Sequence, residues 1–365
     1  MPFHLPSALG WYCNMIKAFY RKKILSFIEP AETSRGVMHH KPSWYLFLID
    51  DKTPEIKGIG ECSIIPGLSM ETEDAVDNKI QEICQTLNTE NFNAAPEIPD
   101  YPSVAFSLES AWLDLKKGGK RELFSSAFTD GRSGIRINGL IWMGTKDYML
   151  GQVEEKLNQG FGCLKFKMGS RNINDELHLL KSVRGRFNAR ELELRVDANG
   201  AFDVDFAMEI VKKLADLEVH SVEQPIKPGQ WEEMERLCRN SPIPVALDEE
   251  LLGEYTLEEK RSLVSGIHPQ YLVLKPGLLG GFQQATEYIA LAKQENIGWW
   301  ITSALESNIG LNAIAQWTFT LGGSMAQGLG TGRLYRQNVA CPLTLEGDKL
   351  FYRSPTGWDL SFIES

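Results

Sequence analysis

Apolar positions between residues 16 and 61 follow the spacing of β-strands, most plainly in Trp44-Tyr45-Leu46-Phe47-Leu48-Ile49, and Asp50-Asp51-Lys52 interrupts the run as a turn. The pattern predicts an antiparallel meander. Over 71–86 and 104–117 the spacing becomes that of one helical face, with Ser103 placed to cap the second helix and Gly118-Gly119 to end it. Strands followed by helices predict an α+β unit over 15–133. Residues 1–14 fit neither period and are expected to form an N-terminal extension.

From 134 onward, short apolar runs alternate with amphipathic stretches. The runs lie at 135–137, 163–167, 192–196, 221–222, 245–247, 271–274 and 299–302, and 325–329 adds an eighth candidate. They recur every 25 to 32 residues, room for one βα unit each. That regularity predicts an α/β fold with a parallel (β/α) barrel over 134–330. The segment 331–365 is expected to pack back on the first unit. A doubly wound open sheet is the alternative, but no strand-linked GxGxxG supports it; Gly328, Gly330 and Gly332 make only GxGxG.

Composition narrows the function. The chain has 365 residues, 43% of them hydrophobic, and a formal charge of −10, which argues against nucleic acid and anionic membrane surfaces as partners. No apolar run is long enough to span a membrane or serve as a secretion signal. Six dispersed cysteines without a CxxC pair are expected to be reduced thiols in a cytoplasm.

The chemistry-bearing residues sit where barrel strands should end, the end at which such barrels build their sites. Alternation puts Lys165 and Lys167 on one side of a strand with Phe166 on the other. Neighbouring ammonium groups and burial both disfavour the charged form, which makes a lysine a usable base. Arg195, Asp197 and Asn199 share a side of the next strand, followed by Glu223-Gln224-Pro225, Asp248-Glu249 and Lys275-Pro276. Asp197, Glu223 and Asp248 come from three successive strands. Converging carboxylates call for a cation, and an all-oxygen set suits Mg²⁺, with Mn²⁺ as the alternative ion. A divalent ion beside a lysine base suits proton removal from carbon next to a small-molecule carboxylate, because it stabilises the enediolate that forms. Taken singly, each carboxylate is as well explained as a helix cap or a solvated loop residue; six charged positions in order are not, since barrel interiors are normally filled by branched apolar side chains. His39-His40 is read as surface, and Gly277 to Gly281 is either a phosphate cradle or a loop opening a helix.

In combination, Lys165-Phe166-Lys167, Asp197-Ala198-Asn199, Glu223-Gln224-Pro225, Asp248-Glu249, Lys275-Pro276 and Ser303-Ala304-Leu305-Glu306-Ser307 make the chain resemble the enolase superfamily. The likeness is to the branch of muconate-lactonizing enzymes, dipeptide epimerases and o-succinylbenzoate synthases. The resemblance implies a modified (β/α)7β barrel of TIM type with an α+β capping domain, and Mg²⁺ on Asp197, Glu223 and Asp248. It also implies Lys167 as base, Lys165 in support and Lys275 on the opposite face. The pairing of a Lys base with Mg²⁺ is well known for this superfamily. Residues 33–36, 60–62 and 66–69 look like the loops that cover substrate. Epimerases of the branch carry an Asp-x-Asp element near the last strand, where this chain reads Gln327-Gly328-Leu329-Gly330-Thr331-Gly332. The implied reaction is therefore the syn dehydration of 2-succinyl-6-hydroxy-2,4-cyclohexadiene-1-carboxylate in menaquinone biosynthesis. N-acylamino acid racemisation or dipeptide epimerisation, and a non-catalytic metal-binding barrel, are the alternatives. Ser303 and Gly330 are expected toward the succinyl arm and Asn199 near substrate, while Arg195 either aids a carboxylate or neutralises the acidic ring. The oligomeric state stays open, a homo-oligomer included.

Overall fold

The computed structural model describes residues 16–33, 36–90, 92–169, 172–253, 255–330, 333–353, 355 and 357–365; the expected extension over 1–14 lies outside them. Strands β1 (Ile16–Thr33), β2 (Gly36–Asp50) and β3 (Thr53–Ser63) form the expected antiparallel meander, with Trp44 opposite both Lys22 and Cys62. The apolar run of β2 is continuous because both of its faces are covered. Trp44, Leu46 and Leu48 pack with residues of α1 (Glu73–Thr89) and α2 (Pro102–Lys116), whereas Tyr45 and Phe47 pack with Ile309, Val339 and Ile363. Helix α2 lies so close on β3 that a Cβ at Gly60 would sit 1.9 Å from the Ser107 carbonyl oxygen. The start of α2 differs from expectation. Pro102 opens it, and Ser103 is not its cap; the Ser103 N–H and hydroxyl both donate at 2.7 Å to Glu71, a carboxylate from outside the helix.

The second region opens with β4 (Ile135–Arg136) and β5 (Gly139–Ile141), then α3 (Lys146–Asn158), β6 (Cys163–Lys167), α4 (Ile173–Arg184), β7 (Glu193–Asp197), α5 (Val204–Asp216) and β8 (Ser221–Glu223). It continues through α6 (Trp231–Asn240), β9 (Val245–Leu247), α7 (Leu257–Ile267), β10 (Tyr271–Leu274), α8 (Pro276–Leu279), α9 (Phe282–Gln294), β11 (Gly298–Ile301) and α10 (Asn308–Leu321). Strands β5 to β11 pair in parallel and in sequence order. An order without reversal excludes the doubly wound sheet. At its open edges the sheet is joined by two adjacent residues: Gln327 bridges Ile137 and Gly328 bridges Thr302, both in parallel. The eighth position is therefore a short connecting segment rather than a full strand.

The expected strand at 135–137 is divided. Ile135 and Arg136 pair antiparallel with the last hairpin, β12 (Leu343–Glu346) and β13 (Lys349–Tyr352), and 139–141 carry the pairing to β6. Arg136 Nε holds the hairpin turn at Asp348 Oδ2, 3.1 Å away. From the C-terminal residues, Leu350 joins the barrel core while Ile363, in α11 (Ser361–Glu364), joins the cluster under β2.

Candidate active site

Register assembles the site. Lys165 lies opposite Arg195, Lys167 opposite Asp197, and Asp197 opposite Glu223, so the charged ends of β6, β7 and β8 stand side by side. Asp248 follows β9 and Lys275 follows β10. Asp197, Glu223 and Asp248 are buried, and each offers an oxygen within 4.8 Å of the others. Lys165 Nζ reaches both Glu223 oxygens at 2.8 Å and Asp197 Oδ2 at 2.8 Å. Lys167 Nζ donates to Asp197 Oδ2 at 2.6 Å and to Asn199 Oδ1 at 2.9 Å, and Lys275 Nζ contacts both oxygens of Asp248. The three lysines thus flank the triad, Lys167 from one side and Lys275 from the other.

Burial and charge set these groups apart. Burial alone would raise Asp197, but the Lys165 and Lys167 ammoniums outweigh it and hold its carboxyl well below the usual range. At Asp248 burial is likewise outweighed, by the Lys275 ammonium, and the carboxyl is held below its ordinary value. Burial and then the Asp197 charge push Glu223 well above the carboxylate range. Burial pushes Lys167 down, with the Lys165 charge adding to the effect and Asp197 opposing it. Lys165 and Lys275 are buried as well, yet their carboxylate neighbours hold both above the ordinary lysine value. A site in which three like charges meet, one of them driven toward its neutral form, fits a divalent cation, and its donors are all carboxylate oxygens.

The lysines open onto a cavity of about 440 Å³ between the barrel mouth and the meander. Ser303 and Gly330 line it from the barrel; Ile28, Thr33, Ile65 and Leu68 line it from the first region. Asn199 is brought in beneath, donating to Glu249 Oε1 at 2.9 Å, and it faces an adjoining cavity of about 580 Å³. Arg195 is not brought to the 440 Å³ cavity. Its Nε donates to Glu193 at 2.7 Å, its Nη1 to the Ala326 carbonyl at 2.9 Å, and its guanidinium covers the Trp300 ring.

Of the expected covering loops, Ser34 and Arg35 lie outside the described residues, as do Thr331 and Gly332 of the glycine-rich segment. Residues 66–69 form a turn closed by Leu68 and Ser69 N–H groups on the Ile65 carbonyl. Residues 60–62 are no loop: they lie in β3, with Glu61 fully buried. His39 and His40 are exposed on β2. Gly281 is the N-cap of α9, and at that helix start the Glu109 carboxylate accepts from Phe282 N–H at 2.6 Å, so the glycine-rich stretch from Gly277 to Gly281 opens a helix.

A buried network escaped sequence reasoning. Glu61 accepts from the Ser307 N–H (2.8 Å), the Ser307 hydroxyl (2.6 Å) and the Gly310 N–H (3.0 Å), tying β3 to the start of α10. Ser43 links Glu61 to Lys41, whose ammonium donates to Ser63 at 2.6 Å. Charged residues at 41 and 61 inside apolar strands were the available signal. Next to this network, Leu305 takes a left-handed backbone (φ 60), and its carbonyl accepts from the Tyr335 hydroxyl at 2.5 Å.

Residues 148–356 match the family described as enolase C-terminal domain-like. The chain is 43% identical to an o-succinylbenzoate synthase of Desulfotalea psychrophila, over 91% of this chain and 97% of that protein. The crystal structure of MenC from the same organism superposes with a TM-score of 0.82 at 40% identity, covering 92% of this chain and 99% of that one. The L-Ala-D/L-Glu epimerase of Bacillus subtilis shares the fold, with a TM-score of 0.81 at 17% identity over 95% of this chain and 98% of the other.

Proposed function

The chain belongs to the enolase C-terminal domain-like family, in the muconate-lactonizing branch of the enolase superfamily, and from that membership we propose which residues carry its reaction. The activity is that of an o-succinylbenzoate synthase, a hydro-lyase acting on a small carboxylate in menaquinone biosynthesis. Members of the superfamily use a divalent metal; here Mg²⁺ is the proposed ion, held by Asp197, Glu223 and Asp248. When bound, it supplies positive charge against the substrate's ring carboxylate as negative charge develops there.

Lys167, neutral at the start, takes the proton from the carbon bearing that carboxylate. The resulting ammonium then gives a proton to the hydroxyl leaving from the neighbouring carbon on the same face. One C–H and one C–O bond break, water departs, the ring becomes aromatic, and Lys167 is neutral again. Burial, which pushes Lys167 down, suits this role. Lys275, held cationic by Asp248 and Glu249 against its burial, stands on the other face and stabilises the enediolate by charge alone. Lys165 keeps the pair of carboxylates beside Lys167 in place. Ser303 and Gly330 border the space for the succinyl arm, whereas Asn199 acts beneath the substrate by orienting Lys167. The carrying observation is the flanking of one carboxylate triad by Lys167 and Lys275, both on the wall of one cavity.

In this organisation residues 15–133 act as a substrate-covering cap, 134–330 as the catalytic barrel and 331–365 as a return to the cap. The proposed compartment is the cytoplasm, where the enzyme's described free cysteines stay reduced. Ultraviolet-monitored turnover of 2-succinyl-6-hydroxy-2,4-cyclohexadiene-1-carboxylate with Mg²⁺ tests the proposed reaction. EDTA should abolish the rate, and Lys167→Ala should lower it at least about 10²-fold with product affinity retained. Near wild-type turnover by Lys167→Ala would remove the base assignment, and an inactive wild type would remove the reaction.

A further inference from the structure

The substrate of the proposed reaction is a dianion, and only its ring carboxylate is accounted for at the triad. Its second carboxylate, at the end of the succinyl arm, enters the same cavity, where partial shielding from water makes a cationic partner worth more than in bulk solvent. Lys165, Lys167 and Lys275 are engaged with the triad and Asn199. Lys156, also on the cavity wall, is held by Glu155 at 3.0 Å. Arg333 lines the same cavity and has no hydrogen bond or ion pair with any described residue.

Arg333 is exposed at the cavity rim, and the residues that follow it are anchored on β1. Ile28 N–H donates to the Leu334 carbonyl at 2.8 Å, Tyr335 bridges Phe27, and Arg336 N–H donates to the Ser26 carbonyl at 2.9 Å, so the chain just after Arg333 is stitched to β1. The wall from the lysines toward Arg333 runs along Thr302, Ser303, Gly328 and Gly330, whose backbones are joined by the Ser303 N–H to Gly328 carbonyl bond at 3.0 Å. At Gly330 the way is open: a Cβ there would meet nothing nearer than the Asn138 carbonyl oxygen at 3.8 Å. Glu29 and the paired Glu155 are the carboxylates on this wall, and they repel an anion from the rest of it.

We propose that Arg333 binds the carboxylate at the end of the substrate's succinyl arm and so selects for a dianionic substrate. The inference rests on the dehydration reading above. A guanidinium offers two parallel donors to a carboxylate, which fixes the direction of the arm as well as its charge.

The test compares wild type, Arg333→Met and Arg333→Lys on the natural diacid and on the analogue with a carboxamide at the end of the arm. On the diacid, Arg333→Met should raise KM on the order of ten- to hundredfold with kcat changed less than about threefold. Arg333→Lys should recover part of the loss. On the carboxamide, wild type and Arg333→Met should share one KM. A diacid KM for Arg333→Met within twofold of wild type, or an equal loss on the carboxamide, overturns the subsite while leaving the reaction intact. Failure of the wild type to turn over the diacid overturns the reaction and the subsite together. Calorimetric titration with o-succinylbenzoate gives a second readout, in which Arg333→Met should weaken binding by the same factor.

Discussion

Side chains two residues apart on a barrel strand face the same way yet sit at different depths. Arg195 lies about 6–7 Å further down the strand than Asp197, and at that level it meets Glu193, Trp300 and the Ala326 carbonyl instead of the cavity. Alternation in the sequence reports the face; depth comes from where the strand stops. Lys165 and Lys167 show the same step from the other side, with Lys165 turned to Glu223 and Lys167 to Asn199. Gly328 is a position where one atom matters. A Cβ there would lie 2.2 Å from Thr302 Oγ1 and 3.2 Å from Thr302 Cα, against the backbone that joins the sheet edges. Gly328→Ala is expected to cost about 1–3 kcal/mol in urea unfolding, whereas Gly322→Ala, with nothing within 4 Å of its Cβ, suffers only its left-handed φ of 70.

Elements here owe their placement to partners far along the chain. Helix α2 takes its N-terminal acceptor from Glu71 and not from its own Ser103, because a carboxylate in reach satisfies two donors at once. Likewise β3 carries near its end a glutamate, Glu61, that serves α10. Glu61→Ala removes the acceptor of four buried donors, the Ser43 hydroxyl included, and takes away the first of the two carboxylates, Glu61 and Glu306, that favour the Lys41 ammonium against its burial. Equilibrium unfolding should show a loss of about 3–5 kcal/mol. The double variant Lys41→Met/Glu61→Gln, which removes both charges and keeps an acceptor, should recover much of it. Equal stability of Glu61→Ala and wild type would mean that the two regions are held by apolar packing alone.

For the molecule as a whole, the junction between meander and barrel predicts a pH dependence of stability. Glu306 is pushed up to about 7, by burial first and then by the Glu61 charge, with Lys41 pulling the other way. In the unfolded chain its value is the ordinary 4.5. Below pH 4.5 the carboxyl is protonated in both states and contributes no difference. Between 4.5 and about 7 the unfolded chain releases the proton while the folded one keeps it, so stability falls as pH rises, and above 7 the penalty is constant. Glu306→Gln is neutral throughout. Relative to wild type it should gain stability across that window, on the order of 3 kcal/mol at its upper end, read by urea midpoints at pH 4, 6 and 8. A constant difference across those pH values would show that Glu306 does not titrate there.

Much of the arrangement of the candidate site was legible in the sequence. Strand spacing predicted the βα repeat, and the strand-end lysines and carboxylates appear in the order in which the barrel brings them together, because each repeat is local and neighbours in sequence become neighbours in the sheet. Spacing did not reveal the split of the first strand between β13 and β6 or the two-residue closure at Gln327 and Gly328. Nor did it reveal the link from Glu61 to Ser307, 246 residues away. Those features are pairings across the chain, and periodicity describes only what one segment does with itself. What the sequence alone determined was the repeat and the order of its charged strand ends; closure, depth and the seating of one region on the other were decided by the tertiary structure, where buried polar groups had to find partners wherever the fold put them.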